Sequence, residues 1–134
     1  MKHNSRRIFL ILLLTSALAI LLAGCSQEST SDAPGAIKAY IEALVSQDEA
    51  ILVNASCADW EDDAILELDS LSAVSVRLEN LACTETAQEG ETTLVACTGS
   101  LIANYNGEDQ EIDLADRTYV AVQEDGEWRM CGYR

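Results

Sequence analysis

The chain has 134 residues, with 23 Asp and Glu against eight Lys and Arg, a formal net charge of −15 and an isoelectric point near 4.1. That acid excess opposes binding to nucleic acid or to anionic lipid faces, which are themselves polyanions. The one histidine is His3, so the body of the chain has no imidazole for a His-based catalytic triad or metal site.

Lys2, Arg6 and Arg7 precede an apolar run, Ile8 to Ala23, that closes on Leu22-Ala23-Gly24-Cys25. A cationic start, an apolar middle and small residues at the end make a secretory signal. As an uncleaved anchor the run would be 16 residues long, short of the roughly 20 that span a bilayer. The segment resembles the lipobox of bacterial lipoproteins, in which that Cys is lipidated and becomes the mature N-terminus. The resemblance implies a cleaved signal over residues 1–24. It also implies a membrane attachment carried wholly by lipid chains, palmitate among them, on Cys25. The protein would then be extracytoplasmic, held to the cell membrane or, in a cell that has one, the outer membrane. Without residues 1–24 the chain keeps 110 residues and five cations against 23 acids, a balance of −18. That length suits one domain with one modest core.

Residues 26–32 are small and polar, so residues 25–33 read as the lipidated Cys and a short tether. Pro34 suits the first turn of a helix capped by Ser31 or Asp32. Ile37, Tyr40, Ile41, Leu44 and Val45 follow the spacing of an amphipathic helix. Asp48 can cap a short second helix over Ala50 to Val53. A third helix is expected from Ala58 to Leu71, with Trp60, Ala64, Leu68 and Leu71 as its apolar stripe. The acids Asp59, Glu61, Asp62 and Asp63 lack the glycine of a calcium loop. They suit a solvated helix start, where the helix dipole favours negative charge.

After Leu71 the period becomes two: Val74, Val76 and Leu78 alternate with Ser75, Arg77 and Glu79, which predicts a strand. Thr84 to Glu91 reads as a polar connection around Gly90, and Thr92 to Tyr105 as a long strand. Asn106-Gly107 is a two-residue hairpin signal, with Tyr105 flanking it. Glu108 to Leu114 returns as a strand, Ala115-Asp116 forms a bulge or bend, and Arg117 to Gln123 continues. Asp125-Gly126 is a second hairpin turn before a closing strand, Glu127 to Tyr133. Helices first and an antiparallel meander after them make an α+β domain.

With Cys25 committed to lipid, Cys57, Cys83, Cys97 and Cys131 remain, which allows two disulfides in three connectivities. No Cys-x-x-Cys is present. A hairpin centred on Gly90 places Cys83 opposite Cys97, at a separation that a disulfide tolerates. By elimination Cys57 pairs with Cys131 and staples the helices to the last strand.

The opening Ala36-Ile37-Lys38-Ala39-Tyr40-Ile41-Glu42-Ala43-Leu44 and the final Gly126-Glu127-Trp128-Arg129 hairpin resemble small exported members of the nuclear transport factor 2-like (cystatin-like) superfamily. The resemblance covers residues 34–134. It implies two to three helices packed on a curved, cone-like sheet of four to five strands, with room in the cone for a ligand. Some cytoplasmic members are steroid isomerases or dehydratases that use His, Asp and Tyr inside the cone. This chain has no His there.

Trp60, Tyr40 and Tyr119 are the candidate lining of a ligand pocket, against the plainer reading of core packing. Trp128 is expected to pack against the sheet. Arg117 and Arg129 are scarce cations, expected in cross-strand ion pairs with neighbouring acids. No residue is assigned a catalytic role, and neither a cofactor nor a metal is expected. The first functional reading is a membrane-anchored, non-catalytic accessory or interaction domain with an unidentified protein or small-molecule partner. The second is binding of a small apolar ligand in the cone. The third is an isomerase-like enzyme, which would need an inward carboxylate beside a Tyr.

Overall fold

A computed structural model describes residues 32–134. The signal, Cys25 and residues 26–31 of the tether lie outside the described residues. Three helices, α1 (Ala33–Ser46), α2 (Glu49–Ala55) and α3 (Glu61–Leu71), precede five antiparallel strands. The strands are β1 (Ser75–Glu89), β2 (Thr92–Tyr105), β3 (Glu108–Asp113), β4 (Thr118–Glu124) and β5 (Glu127–Tyr133). The architecture is α+β, with the helices packed on the sheet.

Local chemistry starts each helix. The Asp32 carboxylate accepts from the Gly35 amide at 2.7 Å, with Pro in the first turn of α1. Asp48 caps α2 by accepting from the Ile51 amide at 3.1 Å. Each cap satisfies an amide that lacks a helical partner. Helix α1 lies across β1, β2, β4 and β5. It buries Ile37, Tyr40, Ile41 and Leu44, at about 1.5–3 kcal/mol for each large apolar side chain. Helix α3 adds Ala64, Leu68 and Leu71, and the sheet meets them with Val95, Leu101, Tyr119 and Met130.

Strand β2 is central. It pairs with β1 on one side, and on the other with β3 and β4 in succession. The 3-10 turn Leu114–Asp116 separates β3 from β4. The expected bend at Ala115-Asp116 is this turn, which divides one return strand into two.

Several expectations are corrected. Strand β1 does not stop near Glu79: it runs through the polar residues read as a connection and ends at Glu89, and the hairpin turn is Gly90-Glu91. Pairing with β2 and the Cys83–Cys97 bond hold this segment extended despite its lack of apolar alternation. A register shift between Glu85 and Ala87 restores Cys83 opposite Cys97. Helix α3 begins at Glu61, so Trp60 is the residue that precedes the helix. Helix α2 is longer than expected at both ends.

Both expected disulfides are present. Cys83 and Cys97 face each other across β1 and β2 with Cα atoms 4.1 Å apart, and Cys57 bonds Cys131 with Cα atoms 5.2 Å apart. The loop between α2 and α3 is also tied to the last hairpin by backbone. The Cys57 amide donates to the Met130 carbonyl at 2.7 Å, and the Ala58 amide donates to the Glu124 carboxylate. Disulfides fit an oxidising compartment. No helix among the described residues is long and apolar enough to cross a membrane.

Two irregularities shape the sheet's inner face. At Asn80, whose φ is 56°, the β1 register shifts, and the inward positions change from Val76 and Leu78 to Leu81 and Cys83. Gly99 sits opposite with φ 106°, and a Cβ there would lie 2.5 Å from the Glu79 carbonyl oxygen. Only glycine fits this close approach. Gly99→Ala is therefore expected to lower unfolding free energy by about 2–4 kcal/mol in urea titrations. An unchanged midpoint would show that the bulge is not constrained at this residue.

Candidate functional site

The polar centre of the domain is Glu67, on α3. Residues 60, 64, 67 and 71 recur at helical spacing, so Glu67 occupies a position of the apolar stripe and its side chain is 23% exposed. A carboxylate there must be met by donors, and three side chains supply them. Tyr40 from α1 donates to Oε2 at 2.6 Å. The Tyr133 hydroxyl from β5 stands 2.9 Å from both carboxylate oxygens. Arg117, at the entry to β4, donates from Nη1 to Oε1 at 3.1 Å. Trp60 extends the cluster, with Nε1 donating to the Tyr40 oxygen at 3.1 Å.

The rings pack around Tyr133. Trp60 and Tyr119 each meet it edge to face, with centroids 5.5 and 5.2 Å away. The Arg117 guanidinium lies 4.7 Å from its centroid, a cation–π distance. Arg117 thus pairs with a helix carboxylate and not with a cross-strand acid, which corrects the expectation. Arg129 bonds Glu127 two residues back on its own strand and the Asn54 carbonyl. It too makes no cross-strand pair.

Tyr133 reaches the cluster because β5 is irregular. Met130 faces Ala121 and Tyr133 faces Tyr119, so three residues on β5 match two on β4. Strict alternation from Met130 would turn Tyr133 outward. The extra residue lies at Cys131-Gly132, where Gly132 has φ 125°. The Trp60 ring lies 3.6 Å from the place a Cβ would take on Gly132.

Glu67 and Tyr133 line a cavity of about 110 Å³. Its apolar lining includes Ile41, Leu44, Leu101, Leu114 and Tyr119; Ser70, Ile112, Asp113 and Arg117 carry it to the surface. Of the three candidate pocket residues, Tyr119 lines this cavity. Tyr40 is fully buried and Trp60 half-buried, and both act in the hydrogen-bonded cluster. The expected packing of Trp128 is met: it is half-buried against the core. Neither Glu67 nor Tyr133 stands out in the sequence. The available signal for Glu67 was an acid inside the stripe of α3.

Burial raises the phenols. The Tyr119 hydroxyl is pushed up to about 12 by burial. Those of Tyr40 and Tyr133 go higher, first through burial and then through the neighbouring Glu67 charge. No group of carboxylates and thiols suited to a metal occurs among the described residues.

No protein-family model matches the chain, and no curated protein matches it in sequence. Among solved structures it is similar to a SEC-C motif containing protein from Rhodopseudomonas palustris, with a TM-score of 0.51 and 14% identity over 79% of this chain and 80% of that one. It is also similar to an NTF2-like protein with a cystatin-like fold from Novosphingobium aromaticivorans, with a TM-score of 0.49 and 16% identity over 97% and 86%. At these identities the likeness concerns the fold alone.

Folding keeps three phenols neutral, while in the unfolded chain they ionise near pH 10. Their contribution is full below about pH 10 and is lost as pH rises through the folded values, from about 12 upward for Tyr119. Urea unfolding at pH 8 and 11 is expected to show the domain weaker at the higher pH. Tyr133→Phe should soften that loss and cost about 1–2 kcal/mol at pH 8. A flat profile would mean that the phenols are not held neutral by the fold.

Proposed function

We propose that the chain is an exported, lipid-anchored accessory domain of the NTF2-like kind that acts by binding and performs no reaction. The observation that supports this reading most is the state of Glu67. It is the carboxylate beside the buried tyrosines, where an isomerase of this fold would need a free base. Here Tyr40, Tyr133 and Arg117 all donate to it. A general base needs a lone pair within reach of the substrate proton, and three donors leave this carboxylate about one of its roughly four acceptor sites.

The size of the cavity points the same way. Pockets for drug-sized molecules run to about 300–1,000 Å³, and this one is about 110 Å³. The second reading, binding of a small apolar ligand, draws support from the apolar lining. It is restricted to a molecule of a few heavy atoms, since an apolar cavity of about 150 Å³ takes benzene. Anchoring rests on the lipobox at Cys25, and export is consistent with the two disulfides.

Palmitate labelling and membrane fractionation of the full chain and of Cys25→Ala test the anchor. The expected result is label and membrane association in the first and neither in the second. Membrane association that survives Cys25→Ala would overturn it. Incubation of the full chain with a β,γ-unsaturated ketosteroid should give isomerisation at the uncatalysed rate. Turnover that Glu67→Gln abolishes would overturn the non-catalytic reading.

A further inference from the structure

Strand β3 has one partner, β2. Strand β5 pairs with β4 and reaches the level of Thr118, where Arg134 and Thr118 exchange backbone bonds at 2.8 and 3.1 Å. No described strand therefore lies beside the outer edge of Glu108–Asp113, and all six of its residues are exposed. An unpaired edge offers a row of amides and carbonyls to an incoming strand.

The cavity opens at this edge. Ile112 stands opposite Leu101 in the β2–β3 ladder, and both line the cavity together with Asp113 and Leu114. Ile112 is 38% exposed, unusual for an isoleucine next to an apolar recess. A strand laid along β3 would carry one inward side chain past Ile112 and over the opening. The cavity's volume suits one aliphatic side chain, given that about 150 Å³ holds benzene.

Charge selects the occupant. Glu108, Asp109, Glu111 and Asp113 make four of the six residues of β3, which carries no cation. Arg77 pairs with Asp109 alone among them. A second copy of this edge would set acid against acid, which destabilises cross-strand pairs. A strand bearing Lys or Arg at alternate positions would set cation against acid.

We propose that the free edge of β3 receives an extended, cationic segment of a partner protein as an added strand, with one aliphatic side chain of that segment filling the cavity. This rests on the reading of the domain as a binding module and names the partner's chemistry.

The test uses the full chain purified in detergent and a fluorescent peptide, Lys-Val-Lys-Leu-Lys-Val-Lys, read by anisotropy. Saturable binding is expected, weakened about tenfold by Glu in place of Lys, by N-methylation of alternate amides, or by the double change Asp109→Lys and Glu111→Lys. Ala in place of the central Leu should weaken it about fivefold. Three outcomes would overturn the proposal: no binding up to about 1 mM, equal binding of the Glu or N-methylated peptide, or self-association of the chain through this edge in sedimentation. The anchoring and turnover assays do not involve this edge, so a negative peptide result removes this surface and leaves the proposed function standing.

Discussion

One carboxylate that must not be left alone inside the protein sets the arrangement of this domain. Glu67 lies on the buried side of α3, and an unpaired charge there would cost several kcal/mol. The donors that satisfy it come from three other places: α1 through Tyr40, the entry to β4 through Arg117, and β5 through Tyr133. Each donor fixes the position of its own element. The Tyr133 bond requires the β5 bulge, which lets Met130 and Tyr133 face the same side. The Arg117 bond requires that the 3-10 turn deliver β4 beside α3. The helical layer and the end of the sheet are thus joined by charge-assisted hydrogen bonds as well as by apolar contact.

A second joint lies just before α3. The loop between α2 and α3 is held to the last hairpin by Cys57–Cys131, by the Cys57 amide on the Met130 carbonyl, and by the Glu124 carboxylate on the Ala58 amide. Trp60 sits between the two joints: its ring lies over Gly132 and its indole nitrogen donates to Tyr40. A short domain with a small core gains from such ties, because little apolar area is available to it. Closing the 74-residue separation between Cys57 and Cys131 restricts the unfolded chain by roughly 4 kcal/mol in the loop-entropy model.

The helices, the hairpin turns and the Cys83–Cys97 bond were legible because each rests on a local or periodic signal, and Cys57–Cys131 followed by elimination. Examples are Asp32 and Asp48 at the helix starts, the Asn106-Gly107 and Asp125-Gly126 turns, and the spacing of Cys83 and Cys97 around Gly90. What was not legible depended on partners distant in sequence. The distal half of β1 has no apolar alternation and is extended only because β2 pairs with it. Tyr133 was hidden because a bulge breaks the period of two. The pairing of Arg117 is not legible locally, because its acid comes from a helix 50 residues away. Glu67 could have been noticed, since a lone acid at an apolar-stripe position asks for buried donors.

This cluster fastens the fold. Catalytic carboxylates tend to sit in environments that strain the native state, and replacing them often raises stability. A structural carboxylate has the opposite sign. The unfolding free energy of Glu67→Gln, measured against the unchanged protein at pH 7, separates the two most directly. A loss of about 1–2 kcal/mol is expected, because charge-assisted bonds from two phenols and a half-exposed arginine become neutral ones. A gain in stability would contradict it and mark Glu67 as a group held for chemistry.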